Sequence, residues 1–283
     1  SRSGSALMND PLVIGNGLYT LTVTTDGRGW SRVFSAVNRG RELDITRRSP
    51  DPVDPCGKFI FLADADMPAG APGRIWSLCA QPVLQSGQEH AVVKRDRESL
   101  EMRSVCNGIR AEAIVRIDPR LPLELWTVRL FNSEGRSRLI ELTSYRELVL
   151  NAHDAYQRHC DYNSIHIGTW FIRSLSAIIV RNRLLKGGAG GPAAGGLSPE
   201  VAFHAVRVRT ADTVTLAGYE DSRAYFIGNS TLRRPQGLEK KLRDPGDEGL
   251  LYTFDPCACL RLRVNLPPGG TAELVFADGY AEG

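Results

Sequence analysis

Apolar and polar residues alternate with period two along most of this chain, and that alternation sets what it can fold into. Residues 18–23, 100–105, 111–117, 125–130 and 139–145 carry the pattern, as do 165–167, 177–180, 201–208, 250–254, 259–264 and 272–276. Each such run places every second side chain on one face of a strand, so that one face is buried and the other wetted. Turn chemistry separates the runs. Asp26-Gly27, Asn107-Gly108, residues 132–135 and residues 267–270 supply the positive φ or fixed proline that strand connections require. Asn107-Gly108, lying between two alternating runs, predicts a tight hairpin. Only residues 147–155 and 237–242 have the spacing for short helical turns. The crossover helices of a parallel sheet are missing, so the expected class is all-β, a sandwich or barrel of antiparallel strands.

A chain of 283 residues fits one large sandwich. Apolar residues at 42% and charged residues at 24% are ordinary for a folded domain with a substantial core. The net charge of +3 does not provide the concentrated basic face that nucleic acid requires. The pairs Arg47-Arg48 and Arg233-Arg234 and the group Lys240, Lys241 and Arg243 read as solvated surface. No apolar run is long enough to span a bilayer, so direct membrane insertion is not expected. The opening residues 1–5 have neither an initiator methionine nor the apolar core of a signal peptide. We read residues 1–11 as a leader outside the fold of an excised piece, and 12–283 as one domain. Within it, the glycine-rich stretch 187–196 reads as a flexible surface loop. The six cysteines have irregular spacing without a metal knuckle, which points to reduced, mostly buried thiols.

Few motifs carry chemistry. Gly15-Asn16-Gly17 follows a short apolar run but lacks the lysine and helix of a phosphate loop, so it reads as a turn. No nucleophile elbow is present. His153, Asp154, His159 and Asp161 share one polar stretch after a strand, which reads as a long exposed loop. Those side chains are the first suspects for moving a proton or holding a metal, but a hydrogen-bonding loop is the favoured reading. The chain's 32 acids include Asp64 with Asp66 and Glu220 with Asp221, but nothing in their context marks a catalytic pair. No catalytic acid, metal or cofactor is assigned. Trp126 lies mid-strand among apolar neighbours and reads as core. Trp30 and Trp76 stand beside glycine-bearing turns, and Trp170 follows Gly168. Such aromatic rings can either pack in a core or stack on the apolar C–H face of a sugar.

The order of several segments resembles a known family. Residues 16–32 run from Asn16-Gly17 through a strand and a glycine-rich turn to Ser31-Arg32. They resemble the opening of the N-terminal β-sandwich domain of glycoside hydrolase family 94, formerly glycosyltransferase family 36. That domain occurs in cellobiose- and chitobiose-type phosphorylases and recurs in cyclic β-1,2-glucan synthases. Residues 59–64, then Arg74-Ile75-Trp76-Ser77 and Gln81-Pro82, then residues 140–150, 255–264 and 266–271 follow in the family's order, so the likeness covers about residues 12 to 280. It departs after Leu150, where residues 156–160 replace the family's histidine-proline stretch, and at 187–196, which has no counterpart.

The resemblance implies a large antiparallel β-supersandwich of the galactose mutarotase-like kind. It also implies a catalytic (α/α)-barrel partner domain, a β-glucan oligosaccharide or polysaccharide as ligand, and subunit contacts that would make a homodimer. The implied location is the cytoplasm, within an inner-membrane-anchored parent. Because the chain stops at Gly283, ahead of any barrel, we expect an accessory unit that does not catalyse alone. A stand-alone mutarotase-like or glycoside-processing enzyme is the alternative, and a purely structural oligomerisation domain is a third reading. The expected sugar contacts are Trp30, Trp76, Tyr145, His159, Tyr162 and Trp170.

Overall fold

The computed structural model describes residues 11–36, 40–48, 55–185, 200–210 and 213–282. Residues 1–10 of the expected leader and the glycine-rich stretch 187–196 lie outside them. The alternating runs form strands β1 (Leu12–Gly15), β2 (Tyr19–Val23), β3 (Gly29–Ser35), β4 (Arg41–Thr46), β5 (Lys58–Asp64) and β6 (Ile75–Ser77). Next come β7 (Glu89–Lys94), β8 (Ser99–Cys106), β9 (Ile109–Ile117), β10 (Leu123–Asn132) and β11 (Arg138–Asn151). Helices α1 (His153–Arg158) and α2 (Cys160–Ser164) lead into β12 (Ile167–Ile172), β13 (Ala177–Asn182), β14 (Val201–Val208) and β15 (Val214–Ser222). Helix α3 (Arg223–Ile227) precedes β16 (Gly249–Tyr252), β17 (Pro256–Leu266) and β18 (Thr271–Ala281).

These strands make two nine-stranded sheets, paired antiparallel. Sheet A runs β1-β2-β3-β4-β11-β17-β15, with β5 bonded to β3, β11 and β6. Sheet B runs β16-β12-β13-β14-β18-β10-β9-β8-β7. The two inner faces share one apolar core, from Tyr19, Leu21, Leu62, Leu142 and Leu260 on sheet A to Val115, Val128, Phe171, Ile178 and Phe276 on sheet B. The expected all-β supersandwich is therefore the observed architecture. Asn107 and Gly108, at φ 49° and 72°, close the β8–β9 hairpin as a two-residue turn between Cys106 and Ile109. Asn16 explains the Gly-Asn-Gly turn: its carboxamide accepts from the backbone of Leu18 and Tyr19 and donates to the carbonyls of Asp118 and Leu121.

Two expectations need correction. Residues 147–151 are not helical but extend β11, because Leu148 and Asn151 pair with Thr46 and Asp44 of β4. Residues 153–163 form the short helices α1 and α2 rather than a loop. In the second stretch of helical spacing, 237–242, the helix reduces to a single 3₁₀ turn at Gln236–Leu238.

Charged side chains also point inward. Lys58 and Arg146 of sheet A face Glu124, Asp278 and His204 of sheet B, and all five are buried. Lys58 bonds Glu124 and lies 3.7 Å from Asp278. Arg146 Nε is 3.1 Å from Asp278 Oδ1, and its guanidinium lies 5.0 Å from the centre of the Trp126 ring. Glu124 also accepts from Ser31 Oγ and Trp126 Nε1. Buried charges survive only when paired in this way.

Burial pulls the His204 imidazole below its ordinary range, and Asp278 only partly offsets this. Burial pushes Asp278 upward, but Arg146 and Lys58 beside it hold its carboxyl well below the usual range. Both folded-state values are thus depressed, so the unfolded chain takes protons first and acid favours unfolding. Stability from His204 is complete above about pH 6.5 and declines below it, and the Asp278 contribution declines below about pH 4. Thermal melts are expected to show the midpoint falling in two stages across these windows. A midpoint unchanged from about pH 7 to pH 5 would contradict the neutral, buried His204.

The two outer faces differ. On sheet A, Phe59, Phe61, Tyr145, Cys257 and Cys259 point outward and are covered by Phe226, Ile227, Leu232, Leu238 and Leu242 from the α3 segment. Tyr145 stacks on Phe226 at 5.1 Å. This explains why β5 is buried on both faces, as its nearly continuous apolar run requires. All six cysteines are free thiols, with Cys160 exposed and the other five buried. No helix among the described residues is long and apolar enough to cross a membrane.

Candidate functional site

The structure separates the expected sugar contacts into three groups. Trp76 and Tyr145 have no exposed surface. Trp76 pairs across from Leu62 and enters the inter-sheet core, while Tyr145 lies under the α3 cover with its hydroxyl donating to Glu147. Neither offers a ring face to a ligand. Trp30 is half-buried on the outward side of β3, opposite Thr22. His159 is exposed at the α1–α2 junction, and Tyr162 of α2 is 55% exposed, with its ring 4.5 Å from that of His166. Trp170 of β12 is 40% exposed.

The polar suspects around α1 have other partners. Asp154 pairs with Arg158 one turn on, and His153 meets Asp44 and Arg48 at 2.7 and 2.9 Å. Asp161 accepts a long contact from Cys160 Sγ. Among the described residues no group of three or more His, Cys, Asp or Glu side chains is placed to hold a metal ion. Of the acids noted in the sequence, Asp64 is tied to Arg138 at 2.6 Å, Asp66 accepts from the Leu139 backbone N–H, and both Glu220 and Asp221 meet Arg243 at 3.5 Å.

Trp170 stands in a surface with a consistent pattern. In β12, Ile167, Thr169 and Phe171 face the core, so Gly168, Trp170 and Ile172 face outward. The strand registers place Leu250, Trp170, Ile179, Phe203, Gly279 and Leu123 in one cross-strand row on the outer face of sheet B. Leu250 is 51% exposed, and Ile179, Phe203 and Leu123 are half-buried. Gly279 is bare because a Cβ there would come within 2.4 Å of the Phe203 ring. The neighbouring row is Ile172, Ala177, Ala205, Ala277 and Leu125. An aromatic and aliphatic ridge thus borders a trough floored by alanines. The row crosses five strands, roughly 19 Å at ~4.8 Å per strand, with the alanines on the middle three, β13, β14 and β18, and Ile172 and Leu125 at its ends.

Arg181 pairs across from Gly168 on the same face, and its shielded Nε has no hydrogen-bond partner. An open aromatic ring with a guanidinium nearby is the pairing that sugars use, with C–H faces on the ring and hydroxyls on the donors. Sequence reading missed Arg181, Ile179 and Phe203. The available signal was the doubled Ile178-Ile179, which puts one isoleucine outward whichever face is core.

One further arrangement has hydrolytic spacing. Ser144 Oγ is 2.7 Å from His204 Nε2, and His204 Nδ1 is 2.9 Å from Asp278 Oδ1. All three are sealed between the sheets, with Phe276 stacked against the imidazole at 5.5 Å. A substrate has no route to this serine in the described conformation, and the relay serves to bond sheet A to sheet B. The three residues are far apart in sequence, which no local motif reveals.

A family model described as glycosyl hydrolase 94, supersandwich domain, matches residues 10–283. The cyclic beta-(1,2)-glucan synthase NdvB of Rhizobium meliloti (strain 1021) is 27% identical over 270 residues, covering 94% of this chain and 9% of that protein. Solabiose phosphorylase of Paenibacillus borealis is 24% identical over 211 residues, covering 70% of this chain and 24% of that protein. The chain therefore spans a quarter or less of either relative. Among solved structures, a bacterial glucoamylase complexed with acarbose aligns over 95% of this chain and 31% of its own, with TM-score 0.53 and 7% identity, a likeness of fold alone.

Proposed function

The chain belongs to the glycosyl hydrolase 94 supersandwich family, and from that membership we propose that it is a glucan-binding accessory domain of a larger β-glucan synthase or phosphorylase. It holds a β-glucan along the trough on the outer face of sheet B and presents it to a catalytic helical barrel. The free thiols support a cytoplasmic setting.

The observation that carries this reading is the Trp170 row with Arg181 beside it. Trp170 supplies the stacking face, and the Arg181 guanidinium, diagonal to it across the β12–β13 pair, supplies a donor group whose Nε has no partner among the described residues. The preformed sheet means that little ordering is required on binding. Calorimetric titration with β-1,2-glucan oligosaccharides is expected to show millimolar or tighter affinity. Trp170→Ala should weaken it about tenfold, equivalent to about 1.4 kcal/mol. Arg181→Ala should weaken it by a smaller factor. No heat response at millimolar sugar, or an unchanged affinity in the Trp170 variant, would defeat the proposal.

A further inference from the structure

A second recess lies on the opposite side of the sandwich, where β15 passes through α3 into the segment that covers sheet A. It encloses about 610 Å³. Its polar wall is Asn229, Ser230 and Thr231, all exposed, and its apolar side includes Ile227 and Leu232. Arg223 and Asp255 complete it.

Arg223 is held in place on two sides. Its Nε donates to Glu147 Oε1 at 2.9 Å, and Glu147 is a buried residue of β11 that also accepts from Tyr145. Its Nη1 donates to Asp255 Oδ2 at 2.9 Å, and its backbone N–H donates to the Asp255 carbonyl. The third guanidinium nitrogen, Nη2, and the second carboxylate oxygen, Asp255 Oδ1, make no hydrogen bond to the described residues. The two side chains remain partly open, at 26% and 41% exposure. A fixed donor and a fixed acceptor therefore stand side by side at the wall of a recess.

The fixed donor beside a fixed acceptor decides the ligand class. Arg223 and Arg233 line the recess, Asp255 lines it with them, and Glu147 stands behind Arg223. Glu147 is shared with Arg47, 3.6 Å away, so the charges at the recess itself are Arg223, Arg233 and Asp255. An anion would meet the Asp255 carboxylate, whereas a neutral ligand meets no opposing charge. Adjacent hydroxyls of a sugar ring each donate and accept, so one pair satisfies Nη2–H and Oδ1 together. The volume is in the range of small-ligand sites.

We propose that the recess between Arg223–Asp255 and residues 229–231 is a binding site for a neutral saccharide of one or two rings. It is separate from the sheet B trough and does not rest on it.

The test is amide NMR on the ¹⁵N-labelled full chain, with the β-1,2-linked glucose disaccharide and inorganic phosphate as probes. The disaccharide is expected to give saturable shifts at Asn229, Ser230, Thr231 and Asp255, and these should persist in Trp170→Ala. Asp255→Asn should weaken them about tenfold. Ser230→Trp, at an exposed position, should fill the mouth and abolish them while the rest of the spectrum stays folded. Three results would overturn the proposal: no saturable shift at these amides with millimolar disaccharide, saturation by phosphate but not by sugar, or loss of the shifts in Trp170→Ala. The last result would place all sugar binding at the trough. Failure of the trough alone leaves these shifts in place.

Discussion

Replacing Asp278 by alanine is expected to destabilise the fold by about 3–5 kcal/mol, the loss typical when one member of a buried ion pair is removed and its partners remain. Asp278 is the point where the two sheets meet electrostatically. Arg146 at 3.1 Å and Lys58 at 3.7 Å reach it from sheet A, and His204 contacts it at 2.9 Å from its own sheet. Without it Glu124 is the remaining buried carboxylate against two buried cations, and the imidazole loses the acceptor that orients it. Trp126 packs against Arg146 and Phe276 against His204, so bulk water does not surround these groups. Asp278→Asn keeps the volume and removes the charge, so it should also destabilise, by less than alanine. Urea unfolding gives the measurement, with a lowered midpoint at an unchanged slope. A loss below about 1 kcal/mol in the alanine variant would show that the cations do not depend on this carboxylate.

That network also shows where the sequence stops being readable. Alternation located the strands because period two is a local property, and Asn107-Gly108 fixed a hairpin because its φ requirements are local too. In β5, strict alternation would set Lys58 on the opposite face from Phe59, one wetted and one buried. In fact both are buried, since sheet A is covered on both faces at β5. Only the near-continuous apolar run at residues 59–63 signalled this. The partners of Lys58 lie 66 and 220 residues away, at Glu124 and Asp278, and no local pattern indicates such pairings.

The site residues divide for the same reason. In the sequence Trp170 stands out only as an aromatic near Gly168, and its outward position on β12 comes from the strand's burial pattern. Tyr145 also faces outward on β11, but Phe226 folds back over it from a segment some eighty residues later in the chain. Trp76 stood beside a glycine-bearing turn that resembled surface, yet pairing with Leu62 carries it into the core. Arg181 and Phe203 became site candidates only once the registers set them beside Trp170.

Phe226→Ala and Trp170→Ala test that difference between the two outer faces directly. Phe226 is fully buried, with its ring 5.1 Å from Tyr145 and 6.0 Å from Phe61. Truncating it removes the centre of the sheet A cover and leaves a cavity that the rigid sheet beneath cannot close, so the expected loss is about 3–5 kcal/mol. Trp170 is as large a ring, but it stands on a face that no other element of the described chain covers. Removing it changes a strand's surface packing, worth at most about 1 kcal/mol. The pair of unfolding curves should therefore separate clearly, with glucan affinity at the trough weakened about tenfold in the variant that stays stable. If Trp170→Ala unfolds as easily as Phe226→Ala, the indole is held by the fold itself, and the trough loses its claim to be an open surface waiting for a ligand.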